Sequence, residues 1–205
     1  LDDEKFKAAF SRLNRLLEDH GVDVGFRRER DDRFKYNFIT KELFEHQTTF
    51  MPVKGMITGF LYEEFHPDHE WDITNLTNHF LNDFLERNLD VDTYYINEQI
   101  IHPEGKLISR EDIIKRFFSM YEAIPAFENP SFIIENQDFE LHENDTVQTG
   151  MGFSEGTIQY DLIFRDGERK KIKGPFKIYF SLEWDCWSIC FFYLAGYNLH
   201  SAEKD

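Results

Sequence analysis

A chain of 205 residues that is 17% aromatic, with 22 Phe, is too rich in large apolar side chains to be disordered. Its formal charge of −16 repels phosphate backbones, which argues against nucleic acid as a partner. No apolar run reaches the roughly 18 residues of a membrane-spanning helix, which argues against a membrane span.

From Asp3 to Asp19 the residues Phe6, Phe10, Leu13, Leu16 and Leu17 recur at helical spacing, and Gly21 supplies a stop. The charged stretch Arg27 to Arg33 reads as a turn between two short strands. Lys41 to His46 reads as a short helix, and Gly55 to Phe65 as a strand rich in aromatic and β-branched residues. Composition shifts near Glu70: between Gly55 and Gly105 the only Lys or Arg is Arg87. That shift divides residues 1–70, an N-terminal helix-plus-strand extension or small α/β module, from a main domain over residues 71–200.

A second helix is predicted from about Ile73 to Arg87, capped by Asp72, with Phe80, Leu81, Phe84 and Leu85 on its apolar face. A third opens at Ser109-Arg110-Glu111-Asp112, which approximates a capping box, and stops before Pro125. After Pro130 the period changes to two. Strands are expected over Phe132 to His142, Thr146 to Phe153 and Thr157 to Phe164, the last followed by the hairpin signal Asp166-Gly167. A long strand, Lys170 to Glu183, is expected to kink at Gly174-Pro175, and Trp187 to Leu194 closes the series. Alternation places Tyr160 on an inward face, Phe176 to Trp184 on the next, and Trp187, Ile189, Phe191 and Tyr193 on the last. The opposite faces, with Lys177, Tyr179, Ser181 and Cys190, are mixed and suit water or another subunit.

The helix from Asp72, the connector Tyr95-Ile96-Asn97 to His102-Pro103-Glu104-Gly105, the Ser109 helix and the strand ending Trp187-Ser188-Ile189 together resemble the nuclear-transport-factor-2-like superfamily. That superfamily includes ketosteroid-isomerase-like and polyketide-cyclase-like proteins. The resemblance implies an α+β domain in which a strongly curved, mostly antiparallel sheet wraps around helices as a cone. It also implies a cavity at the wide end and, in many members, a homodimer through the outer sheet face. No inward Asp or Glu occupies the place of a catalytic acid.

The candidate ligand-binding residues are therefore Tyr95, His102, Tyr160, Trp187 and Tyr193, lining a mostly apolar pocket for a small apolar molecule. The alternative is an isomerase, dehydratase or cyclase with His102 as acid–base and Tyr95 or Tyr160 as the polarising donor. A third reading is a dimeric interaction module whose pocket is filled by its own side chains. His66-Pro67-Asp68-His69-Glu70-Trp71-Asp72 offers metal-ligand types without a metal spacing, so no metal is expected. No phosphate-cradling loop or nucleophile elbow is present, and no cofactor is expected. Cys186 and Cys190, about 13 Å apart on one strand, are too distant to pair. They suit a reducing compartment, with cytoplasm the expected location.

Overall fold

The computed structural model describes residues 2–45, 55–90, 93–101, 105–143 and 148–197. The chain divides into two units, Leu1–Asp68 and His69–Asp205. No helix among the described residues is long and apolar enough to cross a membrane.

In the first unit Asp2 caps helix α1 (Asp3–Asp19) by accepting from the Lys5 backbone N–H at 2.9 Å. Strand β1 (Val22–Gly25) pairs in parallel with β2 (Thr58–Leu61). The stretch expected as a turn between two strands instead leads into helix α2 (Asp32–Asn37), because Asp31 accepts from Phe34 N–H at 2.9 Å and starts a helix. The path stays helical through Phe38–Glu42 and Leu43–Glu45, and His46 lies outside the described residues.

The predicted strand Gly55 to Phe65 is shorter than its composition suggests. It ends at Leu61, where the Glu64 carboxylate accepts from the Leu61 N–H and turns the chain into helix α3 (Tyr62–Phe65). The buried Glu63 carboxylate accepts from Arg27 N–H through both oxygens at 3.1 Å. The core is small, built on Phe38, Ile39 and Leu43 with Phe26, Tyr62 and Phe65 packed against them.

In the second unit helix α4 (His69–Glu86) buries Ile73, Thr77, Phe80, Leu81, Phe84 and Leu85. It starts before the predicted cap, so Asp72 sits in its first turn, where a carboxylate complements the helix dipole. Arg87, at φ 65°, ends it. The Arg87 guanidinium then donates to the carbonyls of Tyr121 and Pro125, tying the end of α4 to that stretch of the chain. Strands β3 (Gln99–Ile101) and β4 (Leu107–Ser109) form a small hairpin before α5 (Arg110–Ala123). Ser109 caps α5 as its spacing predicts, accepting from Asp112 N–H at 3.1 Å and donating to the Asp112 carboxylate at 2.8 Å.

Four strands follow as an antiparallel meander: β5 (Ala126–Glu143), β6 (Gln148–Ile163), β7 (Arg169–Glu183) and β8 (Cys186–Leu194). The domain is α+β, and the sheet is bent rather than closed, with β5 and β8 at its two edges. Bulges interrupt β5 between Glu128 and Ser131 and between Ile134 and Asn136. The connector extends the β8 edge through a parallel bridge of Ile96 with Ile189.

Sequence reading splits β6 at Ser154-Glu155-Gly156, yet it is one strand of 16 residues. Its glycines serve packing rather than turning. A Cβ on Gly152 would lie 2.8 Å from Ile73 of α4, and one on Gly156 would lie 2.0 Å from the Ile133 carbonyl oxygen. Pro175 does not break β7 either. Its carbonyl accepts from Ala195 N–H, so its missing N–H also faces the β8 side, just where β8 has ended, and no bond to β6 is lost. The β6–β7 turn follows the Asp166-Gly167 signal, with Gly167 at φ 84°. The β7–β8 turn has only two residues, Trp184 and Asp185, both at positive φ (52° and 60°). Trp184, expected inward, is therefore 79% exposed at the tip.

Candidate functional site

The inner face of the meander packs on α4 and α5 through a dense aromatic cluster. Phe117 lies 4.4 Å from Tyr197 and 5.9 Å from Phe192, each ring stacked, and Phe84 meets Tyr160 edge-on at 5.7 Å. Hydroxyls within such a face act as site groups only where they remain unspent.

Tyr160 is 1% exposed, and its hydroxyl donates to the Ala195 carbonyl at 2.7 Å. Burial holds its phenol above the ordinary tyrosine range. Tyr95 donates to the Asp83 carboxylate; burial first, then that hydrogen bond and the Asp83 charge, raise its pKa. Trp187 is buried, and its indole N–H donates to His69 Nδ1 at 3.1 Å, its ring meeting those of His69 and Phe139 edge-on. His102 lies outside the described residues.

Tyr193 faces the other way. Tyr179 pairs with Phe191 but Phe180 pairs with Ile189, so Cys190 is an extra residue in β8. One inserted residue reverses every later side chain. Phe192 and Leu194 turn inward in place of Phe191 and Tyr193, leaving Tyr193 half-exposed on the outer face.

Nor do Trp187 and Tyr160 converge. Trp187 stands on the rung of Leu182 and Gly150, whereas Tyr160 lies ten residues further along β6, about 33 Å of strand at full extension. A residue absent from the sequence reading is Tyr197, just after the turn at Gly196. Its hydroxyl is buried within the aromatic cluster and has no hydrogen-bond partner among the described residues. Only its aromatic character, at the end of an apolar strand, signals it in the sequence.

The imidazoles of the acidic segment are also engaged. His66 lies 2.7 Å from the Glu42 carboxylate, and His69 accepts from Trp187. Among the described residues no three His, Cys, Asp or Glu side chains gather as a metal site.

The outer face of the same sheet is different. Phe153, Tyr179 and Phe191 form its centre, with the Tyr179 and Phe191 rings 6.1 Å apart. The Lys177 ammonium sits 4.3 Å from the Phe153 ring centre and 2.7 Å from the Glu155 carboxylate. Each partner's hydrogen bond raises the lysine pKa and lowers that of the glutamate. Met151, Tyr193 and Ile133 stand half-exposed or more around this centre. Beside them Asn97 donates to Ser181 at 3.0 Å and accepts from Ser188.

Burial pushes the Cys190 thiol up to about 11, so it is protonated and unreactive near neutral pH. At one end of this face lies an open groove of about 430 Å³, lined by His142, Thr149, Met151, Ser181, Glu183 and Trp184. At the opposite end Lys171 and Lys173 are exposed.

No protein-family model and no curated protein matches the chain. Solved structures similar to it include the association domain of CaMKII from C. elegans, 15% identical at a TM-score of 0.40, over 60% of this chain and 92% of that one. Another is a protein from Kribbella flavida, 13% identical at a TM-score of 0.44, over 63% of this chain and 94% of that one. A third is an NTF2-like protein from Cytophaga hutchinsonii, 11% identical at 0.37, over 60% and 93%. At this degree of similarity no ligand, partner or activity carries over.

Proposed function

We propose that the chain is an interaction module that self-associates through the outer face of its four-stranded sheet. The observation that supports this is the aromatic centre Phe153, Tyr179 and Phe191, continued by Met151, Tyr193 and Ile133 across all four strands. Contiguous apolar surface on a sheet face is characteristic of an interface. The inner hydroxyls named from the sequence, by contrast, are engaged with the protein itself.

Sedimentation equilibrium tests the proposal. The wild-type chain is expected to form a dimer, and Phe153→Asp, which places a carboxylate beside the Lys177 ammonium, to give a monomer whose fold a thermal melt verifies. A wild-type chain that stays monomeric at every concentration would sink the idea.

A second reading, a small apolar ligand held within the inner face, draws support from the unpartnered Tyr197 hydroxyl. Unpaired buried polar atoms are rare and call for a partner. Native mass spectrometry compared with the denatured mass tests it: an excess mass that is lost on denaturing supports a bound ligand, and identical masses count against it.

A further inference from the structure

The outer sheet face is charged unequally at its two ends. Along β7 the outward positions run Arg169, Lys171, Lys173, Pro175, Lys177, Tyr179, Ser181 and Glu183. Arg169 is already committed to Glu128 and Asp161, and Lys177 to Glu155. Among the described residues Lys171, Lys173 and Glu183 have no ion-pair partner.

Glu183 lies in the groove with the exposed Trp184 and the half-exposed Met151. Trp184 is held there at φ 52°, a backbone conformation in which a bulky side chain is uncommon. A carboxylate beside an open indole face and a thioether suits an ammonium group on an aliphatic stem. The indole attracts the cation, the carboxylate pairs with it, and Met151 covers the methylenes.

The fitting group is present on the same face. Lys171 and Glu183 lie six residues to either side of Lys177 (177 − 171 = 183 − 177 = 6), so a two-fold axis crossing β7 at Lys177 would set Lys171 of one copy opposite Glu183 of the other. That axis also falls beside Phe153 and Tyr179, the centre of the apolar patch.

We propose that the groove of Glu183 and Trp184 receives the Lys171–Lys173 pair of a second copy, the two β7 strands running antiparallel about that axis. The contact is isologous: each copy gives its lysines and offers its groove. It rests on the self-association reading and adds the register and the charge complementarity.

Charge reversal tests it. Lys171→Glu with Lys173→Glu places acid against acid in its homodimer, and Glu183→Lys places base against base. Each is expected to weaken self-association by about tenfold or more, an effect the size of a desolvated cation contact. All three positions are exposed, so folding should hold, and a thermal melt of each variant verifies it. Mixing the two variants restores complementarity at both contacts of a heterodimer. Native mass spectrometry of the mixture, with one variant isotopically labelled, is therefore expected to show the mixed dimer in excess over either homodimer.

A wild-type chain that does not self-associate would overturn both this inference and the reading beneath it. A wild-type dimer whose two variants associate equally well, alone or mixed, would overturn the register alone.

Discussion

The two faces of strands β5 to β8 share one backbone but satisfy their polar atoms differently. On the inner face Tyr160 and Trp187, and on the helix packed against it Tyr121, each give their single donor to a group of the same domain, the two tyrosines to backbone carbonyls. On the outer face the polar atoms pair laterally along the surface, Lys177 with Glu155 and Asn97 with Ser181, and leave aromatic rings between them. The contrast teaches that hydroxyls on an apolar strand face are poor evidence for a pocket when helices press on that face. The apolar rings left uncovered are instead on the side read as merely mixed.

The largest way to break the inner face is alkali. Burial raises the phenols of Tyr121, Tyr160 and Tyr197 above their ordinary value, so the unfolded chain releases these protons first. Their contribution is complete below about pH 10 and is lost as pH climbs toward the folded values. A steep fall in melting temperature above pH 10 is expected, with tyrosinate absorbance appearing in step with unfolding. Absorbance that rises without unfolding would show that these rings are accessible.

Next is Phe117→Ala, which empties the middle of a stacked cluster and should cost about 3–5 kcal/mol in urea denaturation. A loss under about 1 kcal/mol would mean that the inner face holds space. Smallest is Tyr193→Ser: on the outer face it should change monomer stability by no more than about 0.5 kcal/mol. A loss comparable with Phe117→Ala would place Tyr193 inside after all and refute the bulge.

Much of this architecture is legible in local chemistry. The Ser109 cap, the Asp166-Gly167 turn and the apolar stripe of α4 each depend on neighbours within a few residues, and each appears where its residues predict. What escapes the sequence depends on distant partners. The glycines of β6 look like breaks until Ile73 and the Ile133 carbonyl fill the space over them. The β8 bulge has no residue signature, since Cys190 has ordinary strand propensity, and it alone sends Tyr193 outward. The acceptors that engage Tyr160 and Tyr95 lie 35 and 12 residues away and could not be assigned from spacing. His102 lies outside the described residues, so its expected acid–base role rests on sequence alone.

The bridge between Ile96 and Ile189 carries a kinetic consequence. The three pairings of the meander join strands adjacent in sequence, so each needs only a short loop to close. The connector instead meets β8 across 93 positions (189 − 96), and the entropy of closing a loop grows with its length. Local hairpins of this kind form early, and a distant pairing waits until they present an edge. The Ile189 N–H that donates to the Tyr95 carbonyl should therefore gain protection last in pulsed hydrogen exchange, after the β5–β6 rungs; protection in the reverse order would contradict this sequence of events.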